Sequence, residues 1–336
     1  MKVAIIGTTS WGTTLGMMLS RRGVETSLWA RADEEATSLT RSGESPLLPG
    51  IPFPPGLSST GSMEEATRGA SLVILAVPAQ TMRENTRLAK EYLDSSMLIM
   101  SASKGLEAES ARRMSQVIAD EIRPQLHPNI CVLSGPNLSK EIARGFPASA
   151  VIAASSQDTA ERAGEIMDSP IYRVYTSSDV VGVELGGALK NIVALGAGMI
   201  DGLGYGNNAK AAFISRGFEE MTHLGVAAGA QWSTFLGLSG LGDLIATCSS
   251  PLSRTHTLGE GIAQGRPLDE ALASIAGVVE GVPTTTAALK MAGELGIEMP
   301  VTERIYRVLF EGLDAHQLMA EIMWEELTTD RIKPWP

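Results

Sequence analysis

Lys190 stands in the stretch GVELGGALKNIVALGAG, with Gly186, Gly187, Val193 and Ala194 one helical turn away on its face. Small neighbours let a substrate or a second helix approach the amine closely. A lysine in so apolar a setting can give up its proton near neutrality and serve as an acid or base. The plainer alternative is a lysine that snorkels out of a buried helix. A second set of residues opens the chain. MKVAIIGTTSWG is a short apolar run followed by a glycine and a turn. It follows the dinucleotide-loop pattern G-x-G-x-x-G with Gly7 and Gly12 in the outer places and Thr9 in the middle one. Such a loop presents the free N–H groups of a helix start to a pyrophosphate, unless it is an ordinary strand-turn-helix. After the next apolar run come Trp29, Ala30 and Arg31. An acid is usual there for the ribose 2′-hydroxyl of NAD. Arg31 suits a 2′-phosphate and favours NADPH over NADH, or is a solvated arginine; Asp33 and Glu34 keep NAD open.

These residues need a scaffold, and the first half of the chain reads as strands alternating with helices. Short apolar runs at 3–6, 26–29, 72–77, 97–100, 130–133 and 150–153 read as buried strands. Ser10 is expected to cap a helix reaching Arg22, which Gly23 ends. The run SPLLPGIPFPPG has neither period and reads as a loop. The pattern predicts an α/β fold: an N-terminal Rossmann-like, doubly wound parallel sheet covered by helices. Beyond residue 178 the chain is rich in Ala, Leu, Gly and Glu, and an all-helical C-terminal domain is expected. The boundaries are 1–177 for the dinucleotide-binding domain and 178–336 for the helical substrate-binding domain.

The formal net charge of −11 argues against general affinity for nucleic acid or an anionic membrane. Two cysteines, Cys131 and Cys248, give no disulfide framework and suit a reducing cytoplasm. The four histidines lie far apart, so no metal site is expected. No targeting segment is expected. The most membrane-like stretch, 180–203, carries Glu184, Lys190 and Asp201 and is expected to be a buried helix rather than a span.

Five further stretches are LAVPAQ, SASKGLE, LSGPNLSKEIARGFP, GVELGGALKNIVALGAGMIDGLGYGNNAKAA and GLSGLGDLIATCSSPLSR. In this order and at these intervals the chain resembles the bacterial-type NAD(P)-dependent glycerol-3-phosphate dehydrogenases, from Val3 to about Gly312. The resemblance implies reversible hydride transfer between NAD(P)H and dihydroxyacetone phosphate, giving sn-glycerol 3-phosphate for glycerophospholipid synthesis. It implies a cytoplasmic homodimer with a small phosphorylated substrate. It also implies roles for residues of this chain. Lys190 would exchange the proton, Lys104 would contact substrate and polarise its carbonyl, and Asp243 and Thr247 would complete the catalytic set. Gly7, Ser10, Trp11, Gly12, Arg31, Lys104, Ser139, Arg254, Val278 and Glu280 would bind the cofactor. Lys104, Gly135, Asn137, Lys190, Asn191, Asp243, Ser253, Arg254 and Thr255 would bind the substrate. Arg254 matches the family's anion-binding arginine, as a phosphorylated substrate requires.

Taken alone, several of these residues have plainer readings. The SKG of Lys104 is as good a surface turn, Asp243 a helix cap, and Glu280 a solvated acid. The chain also departs from the family pattern. Thr255 replaces an asparagine, Asn137 a small hydroxyl residue, and Ser139 an alanine. The extra methyl of Thr9 is expected to stand off the pyrophosphate slightly. Its loop is expected to be extended there, with the hydroxyl on a phosphate oxygen or capping the helix. The alternatives are a two-domain 3-hydroxyacid or ketopantoate-type reductase, which would lack GVELGGALKN together with GLGDL, and a non-catalytic NAD(P)-binding relative.

Overall fold

The computed structural model describes residues 1–324. Eight strands form one sheet: β1 (Lys2–Ile6), β2 (Glu25–Trp29), β3 (Leu57–Thr60), β4 (Ala70–Leu75), β5 (Leu98–Ser101), β6 (Ile130–Ser134), β7 (Ala148–Ala154) and β8 (Tyr172–Ser177). Their order is 3-2-1-4-5-6-7-8, parallel throughout except for the antiparallel β6–β7 junction. The central strands are apolar on both sides because helices cover both faces. Val3, Ile5, Leu72, Ile74, Leu98 and Met100 fill one core, and Ala4, Ile6, Val73, Leu75 and Ile99 fill the other.

Two strands were not foreseen. The edge strands β3 and β8 carry Ser, Thr, Arg and Tyr, and most of their residues stay partly or fully exposed. An edge strand with one wet side has no apolar run to betray it. The first helix, Ser10–Arg21, differs at its cap. Thr9, not Ser10, is the N-cap, and its hydroxyl accepts from Gly12 N–H at 3.0 Å. Gly23 follows with φ of +79°, the left-handed conformation in which glycine ends helices.

All regular structure described beyond β8 is helical. The helix Val180–Gly202 is hydrophobic all round, and a helix of that kind must be buried. It is long and apolar enough to cross a membrane, yet 83% of its most apolar window is buried inside the protein. The helices Gly206–Ala227, Arg254–Ala263 and Gly281–Leu295 pack around it. Its glycines bring the backbones together: a Cβ on Gly198 would lie 2.0 Å from the His256 carbonyl oxygen. Close packing on every side holds Lys190 at a fixed place and height.

Candidate active site

Lys190 enters the interior from the middle of the Val180–Gly202 helix. Gly186 and Gly187, one turn earlier, are small for identifiable reasons. A Cβ on Gly186 would lie 2.8 Å from the Ser239 carbonyl oxygen, in the π-helical turn Leu238–Gly242 that delivers Asp243. A Cβ on Gly187 would lie 2.4 Å from Ser134 Oγ and 3.6 Å from Lys104 Cγ. Lys104 follows β5 and can therefore lean over the helix. The result is two amines on one carboxylate. Asp243 Oδ2 lies 2.7 Å from Lys104 Nζ and Oδ1 3.2 Å from Lys190 Nζ. Lys190 also donates to Thr247 Oγ1 at 2.6 Å, and that hydroxyl donates to the Asp243 carbonyl oxygen at 2.6 Å. Lys104 donates to the Gly135 carbonyl oxygen at 2.6 Å.

Asp243 is only 3% exposed, so water screens little of its attraction for either amine. Burial pushes the Lys104 ammonium down to about 8, and neighbouring Lys190 adds to the shift while Asp243 opposes it. The cluster thus carries the charge of two amines over one carboxylate, a field suited to an oxyanion.

Around Arg254, Glu280 and Thr284 the polar groups are less occupied. Among the described residues no side-chain hydrogen bond or ion pair engages the Arg254 guanidinium. Its surroundings desolvate it and lower its pKa, while Glu280 attracts it. Gly277, with φ of +95°, makes room: a Cβ there would lie 2.3 Å from Arg254 Nη1. Glu280 spends Oε1 on Ala79 N–H at 2.9 Å, but Oε2 is buried without a partner. Burial raises this carboxyl to about 7. Thr284, one turn along and fully buried, also has an unpartnered hydroxyl. Both atoms face Gly105, beside Lys104. Sequence reading missed Thr284, although its i+4 spacing from Glu280 puts it on the same helix face. Val278 is exposed on the preceding loop. Ser253 caps the Arg254–Ala263 helix. Thr255 and Asn191 meet at Gly281, where a Cβ would lie 2.8 Å from Thr255 Cγ2 and 3.1 Å from the Asn191 carbonyl oxygen.

The opening loop turns tightly between β1 and the first helix. Gly7 adopts φ of +111°, and a Cβ there would lie 2.8 Å from the Ala76 carbonyl oxygen. Thr9 is extended as expected (φ −58°, ψ 161°). Its hydroxyl caps the helix and donates to the Ala76 carbonyl oxygen at 2.7 Å, which leaves no donor for a phosphate. Trp11 packs against the sheet core, and the carbonyl oxygen of Ser139 accepts from Thr14 at 3.2 Å. Ser139 therefore borders the same helix, although it is distant in sequence. Arg31 pairs with Glu84 at 3.3 Å. Asn137 departs from expectation. Its amide donates to the Ser149 carbonyl oxygen, and its side-chain oxygen accepts from the Tyr172 hydroxyl. The carboxamide braces β7 against β8, so its polar atoms are already taken. Elsewhere Asp201, His256 and Glu260 gather within 4.8 Å, but the Lys210 ammonium already sits 2.7 Å from Asp201.

Comparison with known proteins identifies the family. Residues 2–160 match the model of the NAD-dependent glycerol-3-phosphate dehydrogenase N-terminus, and residues 179–320 that of the C-terminus. A glycerol-3-phosphate dehydrogenase [NAD(P)+] of Dehalococcoides mccartyi is 52% identical, covering 96% of this chain and 90% of that protein. The crystal structure of glycerol-3-phosphate dehydrogenase from Coxiella burnetii superposes with a TM-score of 0.91 at 32% identity, covering 96% of this chain and 98% of that one. A ketopantoate reductase from Ralstonia eutropha covers 96% of this chain and 100% of its own at a TM-score of 0.59 and 16% identity, a likeness of fold alone. The chain belongs to the NAD(P)-dependent glycerol-3-phosphate dehydrogenase family.

Proposed function

We propose that this chain interconverts dihydroxyacetone phosphate and sn-glycerol 3-phosphate with NAD(P)H, with NADPH preferred. The observation that carries the reading is the pair of amines on Asp243, set beside an arginine with unspent donors. The cofactor supplies the hydride when bound. Lys190 gives its Nζ proton to the carbonyl oxygen as that oxygen becomes an alkoxide, and takes it back in the reverse direction. Lys104 polarises the same oxygen. Asp243 positions both amines, and Thr247 fixes the angle of Lys190. Arg254 holds the phosphate, with Ser253, Thr255 and Asn191 at the same end and the backbone at Gly135 and Asn137 beside it. Gly7, Ser10, Trp11, Gly12, Arg31, Ser139, Val278 and Glu280 serve the cofactor. The orphaned Oε2 of Glu280, the unpaired guanidinium of Arg254 and the Gly7 turn all suit such an occupant.

The same reading makes residues 1–177 the cofactor domain and 178–336 the substrate domain, of which 325–336 lie outside the described residues. The sheet's end at Ser177 supports this division. We place the protein in the cytoplasm as a homodimer, on its family and its two unpaired cysteines. The test is the loss of NADPH and NADH absorbance with dihydroxyacetone phosphate or ketopantoate. Turnover of the first and not the second is expected; the opposite would overturn the reading.

A further inference from the structure

Strand order places β1 between β2 and β4. Arg31 stands two residues beyond the end of β2, and Glu84 lies on the Met82–Ala89 helix that follows β4. Their ion pair, with Arg31 Nη2 3.3 Å from Glu84 Oε2, therefore reaches over the carboxyl end of β1, where the Gly7 loop begins. In open α/β sheets that end is where ligands lie, and the residue after β2 meets the adenosine ribose. The other acids here are less suited to hold Arg31. Glu35 accepts from the Thr8 hydroxyl. Asp33 fills the space beside Gly61, where a Cβ would lie 1.9 Å from its Oδ1. Glu84 is the acid that the structure joins to Arg31.

We propose that Glu84 sets the cofactor preference of this chain by holding Arg31 across the mouth of the adenosine crevice. This rests on the function proposed above and adds a residue to it. A 2′-phosphate must draw Arg31 away from Glu84, whereas a 2′-hydroxyl has no such need. NADPH binding therefore meets a competitor that NADH binding does not. Both side chains are more than half exposed, at 55% and 61%, so the pair is weak and easily opened. Its effect is a restraint on NADPH preference rather than a block.

The test is fluorescence titration of NADPH and NADH with the full chain and with Glu84→Gln. The substitution is expected to tighten NADPH about fivefold, the upper value of an exposed pair, and NADH less than twofold. Adenosine 2′,5′-bisphosphate and ADP, titrated by calorimetry, should divide the same way. In an Arg31→Ala background the gain should vanish. An unchanged NADPH/NADH ratio overturns the proposal and leaves the functional reading intact. A gain of equal size without Arg31 also overturns it, because Glu84 would then act on the phosphate directly. If the unaltered chain binds neither nicotinamide, the functional reading falls and this proposal with it.

Discussion

Two polar walls of the candidate site are built on opposite principles. On one, Lys104, Asp243, Lys190 and Thr247 satisfy one another at 2.6–3.2 Å in a mostly buried cluster. On the other, Glu280 Oε2 and the Thr284 hydroxyl are buried without hydrogen-bond partners, and exposed Arg254 beside them has no side-chain partner among the described residues. Buried polar groups without partners are costly, and a folded protein keeps few of them. The difference teaches which wall is finished by the chain and which awaits a ligand. The finished wall fixes where a proton is held. The unfinished one keeps donors and acceptors for a phosphate and a cofactor.

The comparison breaks most severely at Asp243, the one group both amines share. Asp243→Asn leaves two ammonium groups close together with no anion between them, and Lys104 loses what opposes its shift. We expect kcat to fall on the order of 10²–10³ while cofactor affinity changes little. Stopped-flow turnover with a parallel cofactor titration checks both. Arg254→Ala strikes the other wall. An unmade charge-assisted bond of about 1.5–3 kcal/mol should lower kcat/KM for dihydroxyacetone phosphate about 10–150-fold. Unphosphorylated dihydroxyacetone, a poor substrate, should lose far less. Equal losses would place Arg254 with the cofactor or the fold.

Glu280 sharpens the contrast through pH. Its folded-state pKa of about 7 lies above the ordinary 4.5, because burial disfavours the charge. Between those values the folded protein keeps a proton that the unfolded chain releases. Stability should therefore fall as pH rises from 4.5 to 7, and this contribution should level off above that. Glu280→Gln should flatten the slope, by on the order of 1–3 kcal/mol across the window. Urea midpoints at pH 5 and 7.5 measure it in the cofactor-free protein; an unaltered slope would assign the pH dependence to other groups.

Of the finished wall, Lys190 was legible in its own neighbours, while Lys104, Asp243 and Thr247 entered only through the family resemblance. The small residues around Lys190 announced close approach, and Gly186 and Gly187 are where the Ser239 backbone and the Ser134 and Lys104 side chains pass. The central strands declared themselves by unbroken apolar runs. Other features were silent because they depend on partners far apart in the chain. Glu84 meets Arg31 53 residues away, Ala79 meets Glu280 201 residues away, and Asn137 is claimed by Tyr172. That Lys104 is desolvated depends on tertiary burial, which its local SKG pattern does not show. Thr9 was legible in kind, since its extended backbone follows from a β-branched residue avoiding positive φ. That its hydroxyl serves the helix and Ala76 required the fold.

The central claim is that the finished wall moves the proton through Lys190 and leaves cofactor binding to other residues. The most direct measurement is kcat for dihydroxyacetone phosphate reduction by Lys190→Ala, with the NADPH dissociation constant taken on the same preparation. The account predicts a fall in kcat on the order of 10²–10⁴ and a dissociation constant within about twofold of the unaltered chain. A variant that keeps near-normal kcat would contradict it and move the proton to Lys104.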